Sequence, residues 1–308
     1  MNKKLILTPL LFMAAIVTTN AQLMFRISGG RLEKPSYILG SMHVLSGDLL
    51  DSIPAFLAAE NQCQQLFVET DVTDQQNKKE RQSASQQLMA LPDGKIISDI
   101  LGEENMAILQ KRMKETCHVD LADSAAKDYL HYQPFLFTFS LNMMIQVEAL
   151  QKYPAMRNGN MMDGACIKRA KARGWKVGNL DQQITPEEQA KIKETMTPID
   201  EQADSLMALL NNFDERRQKI LKYFEGEQNM GDYWSAGDYE GFERFMKPEN
   251  EASPALYADR NKKWMPIIIK AIKEMPTLFV FGAGHLTGPD GVVRMLRDAG
   301  YKVEQLKW

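Results

Sequence analysis

Two of the four histidines in the sequence lie three residues after a glycine: His43 follows Gly40, and His285 follows Gly282. Glycine makes up 19 of the 308 residues, so chance gives one such match at about 6% of histidines and two among four about 2% of the time. Each turn follows an apolar run of strand type, where glycine can adopt backbone angles that a Cβ would block. Open α/β sheets bind ligands just beyond the carboxyl ends of their strands, so we expect both histidines in one functional site. The alternative is two structural turn histidines.

A carboxylate ends another apolar run in the same way, since Glu69 directly follows the predicted strand Leu66–Val68. Two imidazoles and a carboxylate suit a divalent transition metal with open positions, such as Mn²⁺, Co²⁺ or Zn²⁺. Glu69 could instead act as a general base. The sequence has neither the His-Glu-x-x-His helix of one metalloprotease class nor the Gly-x-Ser-x-Gly turn of serine hydrolases.

Other polar residues are candidates for the same site. Arg260 and Asn261, near the start of a predicted helix, could bind an oxyanion or a carboxylate, or could belong to a solvated helix face. Asp163 and Asp181 carry the same ambiguity. The Gly282-x-Gly284 pair and the later Gly288 lack the glycine spacing of a dinucleotide loop. We therefore count Gly282 and Gly284, with Gly40, as supports for the histidine turns and expect no nucleotide cofactor.

The apolar runs predict a sheet that is assembled from both ends of the chain. A strand, a helix and a strand over residues 37–69 predict a βαβ unit, and the strand at 24–28 predicts a hairpin with the one at 37–39. The uncharged run at 277–281 has the pattern of a central strand, and the last strand is expected at 301–306.

The middle of the chain is predominantly helical in pattern. The segment 135–151 is apolar nearly all round and is therefore expected to be a buried helix. We predict an α/β (α+β) fold with a central mixed β-sheet and a large helical insertion at about 73–175. Residues 22–308 are expected to form a single domain.

The first 21 residues differ from the rest. Lys3 and Lys4 precede an apolar run over residues 5–17, and Thr19 to Ala21 places small residues before Gln22. This pattern predicts a secretory signal peptide over residues 1–21 and a periplasmic or extracellular protein. The mature chain has no apolar run of membrane-spanning length, so we expect no transmembrane segment in it.

Charge and cysteine content exclude some classes of protein. The net charge is −3 and the sequence pI about 5.9, which gives no basic excess for binding nucleic acid. The odd number of cysteines, at irregular spacing, does not form a disulfide framework. One disulfide or none remains open for Cys63, Cys117 and Cys166.

Longer blocks of the sequence resemble the TraB/GumN family over most of residues 22–308. The most specific of them are Val280 to Leu286, which contains Gly-Ala-Gly-His-Leu, and the Arg-Asn-x-x-Trp block over 260–264. Similar blocks are Leu39 to His43, Phe67 to Glu69, Asp163 with Lys171 to Val177, and the region from Gly288 through Asp290-Gly291 to Gly300–Val303. The chain departs from the family at position 181, which is Asp where many members carry Glu.

The resemblance implies a function. The superfamily includes Tiki proteases, erythromycin esterase-like enzymes and haem-binding ChaN-like proteins, and the Tiki branch is described as metal-dependent peptidases. The resemblance implies that His43, His285 and Glu69 hold a metal and that Arg260 belongs to the same site. It also implies that the chain is an exported metal-dependent hydrolase of the peptidase type that acts on a peptide or small molecule. The alternatives are a non-enzymatic protein that binds haem or a peptide at this site, and an interaction protein with a decayed site.

Overall fold

The computed structural model describes residues 23–43, 45–71, 73–75, 83, 86–150, 161–225 and 230–306. The leader predicted at residues 1–21 lies outside these ranges. The β-strands are β1 (Met24–Gly29), β2 (Ser36–Ser41), β3 (Gln65–Val68), β4 (Lys176–Asn179), β5 (Thr277–Gly282) and β6 (Tyr301–Gln305). The α-helices are α1 (Pro54–Glu60), α2 (Ile97–Arg112), α3 (Pro134–Leu150), α4 (Met162–Ala172), α5 (Pro186–Thr195), α6 (Ile199–Asn211), α7 (Phe213–Glu225), α8 (Met230–Ala236), α9 (Tyr239–Ala252), α10 (Ala258–Glu274) and α11 (Val292–Asp298).

The strands form one six-stranded mixed sheet in the order β4-β3-β5-β2-β1-β6. Strands β4, β3, β5 and β2 run parallel, while β1 is antiparallel to both β2 and β6. The predicted fold class is confirmed, and so is the hairpin of β1 and β2. Because four neighbouring strands are parallel, their carboxyl ends meet at one edge of the sheet, where ligands of such sheets bind.

Strand β5 lies between β2 and β3, although about 210 residues of sequence separate β3 from β5. The two strands of the predicted βαβ unit are therefore parallel but not adjacent. In the register of β2 and β5, Ser41 pairs with Gly282, and in that of β3 and β5, Val68 pairs with Val280. This order places the two Gly-x-x-His turns on neighbouring strands, with the residue after β3 beside them.

Two clusters of buried apolar side chains support the fold. The larger one packs on the sheet, where every residue of β2 and β5 is buried. The second cluster joins α2 and α3 to α6 and the start of α7. Since α6 and α7 follow residue 175, the helical layer extends past the predicted insertion of residues 73–175. The expectation of a single domain over 22–308 stays a prediction.

Helix α3 differs from its prediction. Its apolar composition predicted burial all round, but Phe139 is 54% exposed and Met143 43% exposed. Phe137, Leu141 and Ile145 lie on the buried face, four residues apart, as expected for helical neighbours. The packing therefore covers one face only, and composition overestimated the burial of the other.

The three cysteines are free thiols, so no disulfide joins Cys63, Cys117 and Cys166 in this structure. In the part of the chain that the structure describes, none of the helices has the length and apolarity required to cross a membrane.

Candidate active site

Glu69 lies at the centre of a polar cluster at the carboxyl edge of the sheet. Its Oε1 accepts a hydrogen bond from the backbone N–H of Gly282 at 2.7 Å, and its Oε2 accepts one from Nη2 of Arg260. Nε2 of His43 lies 3.4 Å and Nε2 of His285 lies 3.8 Å from Oε1. The structure thus brings the three predicted metal ligands, His43, His285 and Glu69, together with Arg260 at one edge of the sheet.

The pKa of Glu69 is lowered well below its usual value. Burial alone would raise it, but the hydrogen bond from His43 and the charge of Arg260 outweigh that effect. Glu69 is therefore ionised near neutral pH and offers two charged oxygens to the site.

His43 is held by Asp163, the first acidic residue of α4. Nδ1 of His43 lies 2.7 Å from Oδ2 of Asp163, whose Oδ1 accepts the hydroxyl of Ser41 at 2.7 Å. The hydrogen bonds of His43 to Asp163 and to Glu69 raise the pKa of His43 to about 10. The His43 side chain is 55% exposed, so of the two histidines it is the one that solvent reaches.

His285 is buried and neutral. Its side chain is 4% exposed, with its ring centroid 4.2 Å from that of Trp264 and 5.3 Å from that of Tyr257. Burial lowers the pKa of His285 to about 4, and the charge of Arg260 adds to this effect. The two histidines of one site thus have opposite shifts, because one faces carboxylates and water while the other is enclosed by aromatic rings.

Asn261 determines which nitrogen of His285 carries the proton. The amide nitrogen of Asn261 donates to the backbone carbonyls of His285 at 3.1 Å and Asp290 at 2.8 Å, so its Oδ1 must be the acceptor. Nδ1 of His285 lies 2.7 Å from that Oδ1 and donates to it. The lone pair is therefore on Nε2, which accepts from Nη1 of Arg260 at 3.1 Å.

The predicted contact of Asn261 with a substrate is wrong. Asn261 is 1% exposed and its polar atoms are all used in orienting His285 and the following loop. It is a positioning residue behind His285. Arg260, one position earlier on α10, binds the other ring nitrogen of His285 and also contacts Glu69.

Asp181 belongs to the site, although the sequence left its part open. Its carboxylate binds Nε and Nη2 of Arg260 at 3.1 and 2.7 Å and accepts the indole N–H of Trp264 at 2.9 Å. Its backbone N–H donates to the carbonyl of Glu69 at 2.9 Å. Asp181 follows β4 closely, much as Glu69 follows β3, and that strand-end position was the available signal.

The glycines of the two turns allow close approach of neighbouring atoms. A Cβ on Gly40 would lie 2.4 Å from the Leu286 side chain, and one on Gly282 would lie 2.9 Å from Nε2 of His43. A Cβ on Gly284 would lie 2.7 Å from the ring of Tyr257. Gly282 has a φ of −51°, and neither Gly40 nor Gly284 is among the glycines with a positive φ in the described residues, so any residue could adopt these backbone angles. The expectation that special backbone angles require these glycines is therefore wrong, and steric room is the reason for them.

The sequence model of the TraB/PrgY/gumN family matches residues 23–305. The chain belongs to the TraB/PrgY/gumN family. The match includes both Gly-x-x-His turns, Glu69 and the Arg260 region of this TraB/PrgY/gumN chain. No curated protein and no solved structure matches the chain.

The donor atoms in this TraB/PrgY/gumN chain fit a transition metal by type and orientation. Both histidines direct Nε2 toward Glu69 and have Nδ1 bound to an oxygen, on Asp163 or Asn261. This second hydrogen bond is the usual partner of a metal-binding histidine. Within the described ranges, no three His, Cys, Asp or Glu side chains already stand in the arrangement of a metal site. The guanidinium of Arg260 contacts two of the donors instead.

Proposed function

We propose that the cluster around Glu69 is the hydrolytic centre of an exported metal-dependent hydrolase that cleaves peptide bonds. One observation carries the proposal. The Nε2 atoms of both imidazoles face the same oxygen of Glu69, and each Nδ1 is hydrogen-bonded to an oxygen of another side chain. Asn261 leaves Nε2 of His285 free of a proton, whereas Nε2 of His43 carries a proton toward Glu69 in the metal-free chain and would release it when an ion binds.

In this proposal, His43, His285 and Glu69 hold one divalent ion, which would lower the pKa of a bound water and polarise a carbonyl. Asp163 and Asn261 keep the two imidazoles in place. Arg260 supplies positive charge where negative charge develops on the carbonyl oxygen. The rings of Trp264 and Tyr257 exclude water from the His285 side, which strengthens the electrostatic interactions inside.

The exposures of the histidines favour a hydrolase over a haem-binding protein. Haem needs an accessible imidazole, and His285 is only 4% exposed between two aromatic rings. A haem could therefore reach only His43. A haemin titration checks this alternative, since a Soret shift that is lost in His43→Ala or in His285→Ala would favour haem binding; the exposures predict the loss in His43→Ala.

Calorimetry with Mn²⁺, Co²⁺ and Zn²⁺ on residues 22–308 tests the metal site. We expect one ion per chain and loss of binding in His43→Ala. His131→Ala is the matched control, because His131 is exposed and lies outside the cluster. If the wild-type chain binds none of the three ions, or if both variants lose binding equally, the metal site is wrong.

Peptide cleavage is tested separately. A mixture of synthetic peptides is incubated with the metal-loaded chain, and the products are identified by mass spectrometry. We expect cleavage by the wild type and loss in Glu69→Gln, which keeps the size of the side chain but removes its charge. Metal binding without cleavage of any peptide would leave a metal protein and overturn the peptidase proposal.

Export is supported by the leader pattern of residues 1–21. Expression of the full chain in a bacterial host, followed by fractionation and N-terminal sequencing, is the direct test. We expect product outside the cytoplasm that begins at Gln22. An uncleaved chain that stays in the cytoplasm would contradict this part of the proposal.

A further inference from the structure

Arg260 covers two atoms that the proposed metal needs. Its Nη1 donates to Nε2 of His285 at 3.1 Å, and its Nη2 donates to Oε2 of Glu69. Since Nδ1 of His285 is protonated against Asn261, Nε2 is the nitrogen that could ligate an ion. That lone pair cannot bind an ion and accept a hydrogen bond from Arg260 simultaneously.

Asp181 is a second binding partner for the guanidinium of Arg260, separate from Nε2 of His285 and Oε2 of Glu69. Nε and Nη2 of Arg260 bind the two oxygens of Asp181 at 3.1 and 2.7 Å. The Asp181 carboxylate is fixed in turn by the indole N–H of Trp264 at 2.9 Å, and the guanidinium carbon lies 4.8 Å from the Trp264 ring centroid. Nη1 takes no part in this pairing, so it can leave His285 while Arg260 stays bound to Asp181.

We propose that Arg260 is an internal counter-cation which occupies the metal site in the free protein and moves fully onto Asp181 when a divalent ion binds. The inference rests on the metal site of the proposed function. Arg260 then lowers the affinity of the site for the ion, in addition to stabilising negative charge. The ion must displace the guanidinium, and the bound ion stays close to the positive charge of Arg260. Asp181 keeps the displaced guanidinium beside the site.

The test compares Mn²⁺ affinity by calorimetry in the wild type, Arg260→Gln and Lys263→Gln. Lys263 is the matched control, since it lies on the same helix and its exposed ammonium pairs with Glu188, away from the site. We expect Arg260→Gln to bind Mn²⁺ at least about tenfold more tightly than the wild type, a factor equivalent to ~1.4 kcal/mol. Lys263→Gln is expected to match the wild type.

The outcomes separate the two proposals. If the wild type binds Mn²⁺ and a folded Arg260→Gln chain binds it no more tightly, the counter-cation inference is wrong and the metal site stands. If neither chain binds Mn²⁺, Co²⁺ or Zn²⁺, both are wrong. Mn²⁺ binding by Arg260→Gln alone supports the inference when the wild type binds Co²⁺ or Zn²⁺. If Lys263→Gln binds Mn²⁺ as much more tightly as Arg260→Gln does, the gain in affinity comes from the lower net positive charge alone, and the inference is wrong.

A second measurement avoids any substitution of Arg260. Diamagnetic Zn²⁺ is added to the ¹⁵N-labelled wild-type chain, and the side-chain N–H signals of Arg260 (Nε) and Trp264 (Nε1) are followed by NMR. Both groups bind Asp181, so we expect both signals to shift as Zn²⁺ binds. Trp264→Phe identifies the indole signal. Zn²⁺ binding that moves neither signal overturns the inference.

Discussion

The backbone N–H of Gly282 donates to Oε1 of Glu69 at 2.7 Å and so ties the end of β5 to the residue after β3. The same oxygen is the one nearest to the two imidazole Nε2 atoms, on His43 and His285. The position of the central carboxylate is therefore set by the main chain of a neighbouring strand. The side chain of any residue larger than glycine at position 282 would collide with His43 and Glu69.

Gly282→Ala is expected to disrupt the site. The added Cβ would lie 2.9 Å from Nε2 of His43 and 3.1 Å from Oε1 of Glu69, and overpacking of this kind costs about 1–3 kcal/mol. We expect lower stability in urea unfolding and weaker Mn²⁺ binding. Gly164→Ala is the control, because a Cβ added at Gly164 would meet no atom within 4 Å and alanine favours a helix. Equal stability loss in both variants would contradict the steric explanation.

Stability in metal-free buffer is expected to be greatest near pH 6.5. The pKa of His285 is about 4 in the folded chain and about 6.5 in the unfolded chain. Between these two pH values the unfolded state binds more protons than the folded state. The free energy of unfolding therefore rises by up to roughly 3 kcal/mol from pH 4 to 6.5. Glu69, with its lowered pKa, acts in the same direction at acid pH. The pKa of His43 is raised to about 10 in the folded chain. Its contribution to stability is therefore complete below pH 6.5 and is lost as the pH rises to 10.

Urea unfolding from pH 4 to 10 measures this profile. His43→Gln is expected to flatten the alkaline side, whereas His131→Gln keeps it. The alkaline slope of the wild type should be shallow, since the His43 side chain is 55% exposed and water screens its charge interactions. Stability that climbs steadily up to pH 10 would contradict the assigned environment of His43.

Asn261→Asp is expected to change the protonation of His285. The wild type should show the neutral tautomer with the proton on Nδ1, because Oδ1 of Asn261 is the acceptor. A carboxylate at that position would favour the charged imidazole and raise its pKa from about 4. Imidazole ¹⁵N shifts at several pH values report both the tautomer and the pKa. A wild-type proton on Nε2 would refute the assignment.

Asp181→Asn is expected to destabilise the chain by about 2 kcal/mol, the scale of a hydrogen bond to a charged group. The variant removes the paired interaction with Arg260 and leaves that guanidinium with Glu69 and His285. Asp181→Glu keeps the charge and should lose less stability, although its longer side chain must shift from the indole of Trp264. Thermal unfolding compares the variants, and an equal loss in both would assign the effect to packing instead of charge.

The sequence predicted the site where a local rule sufficed. Polar residues after apolar strands identified His43, Glu69 and His285, because parallel strands end at the same edge. The position of β5 between β2 and β3 could not be derived, since long connections leave strand order open. The role of Asn261 was wrong, because residue type gave no direction for its side chain. Burial of α3 was overestimated because an apolar sequence does not reveal which face a partner covers.

Strand β5 fills the middle of the sheet but comes from the last tenth of the chain. Until those residues are synthesised, β2 and β3 have no strand between them, and the second histidine turn is absent. Non-local pairing of this kind makes folding slow and leaves strand edges open during synthesis. The polar cluster around Glu69 therefore cannot form on the nascent chain until His285 has been synthesised.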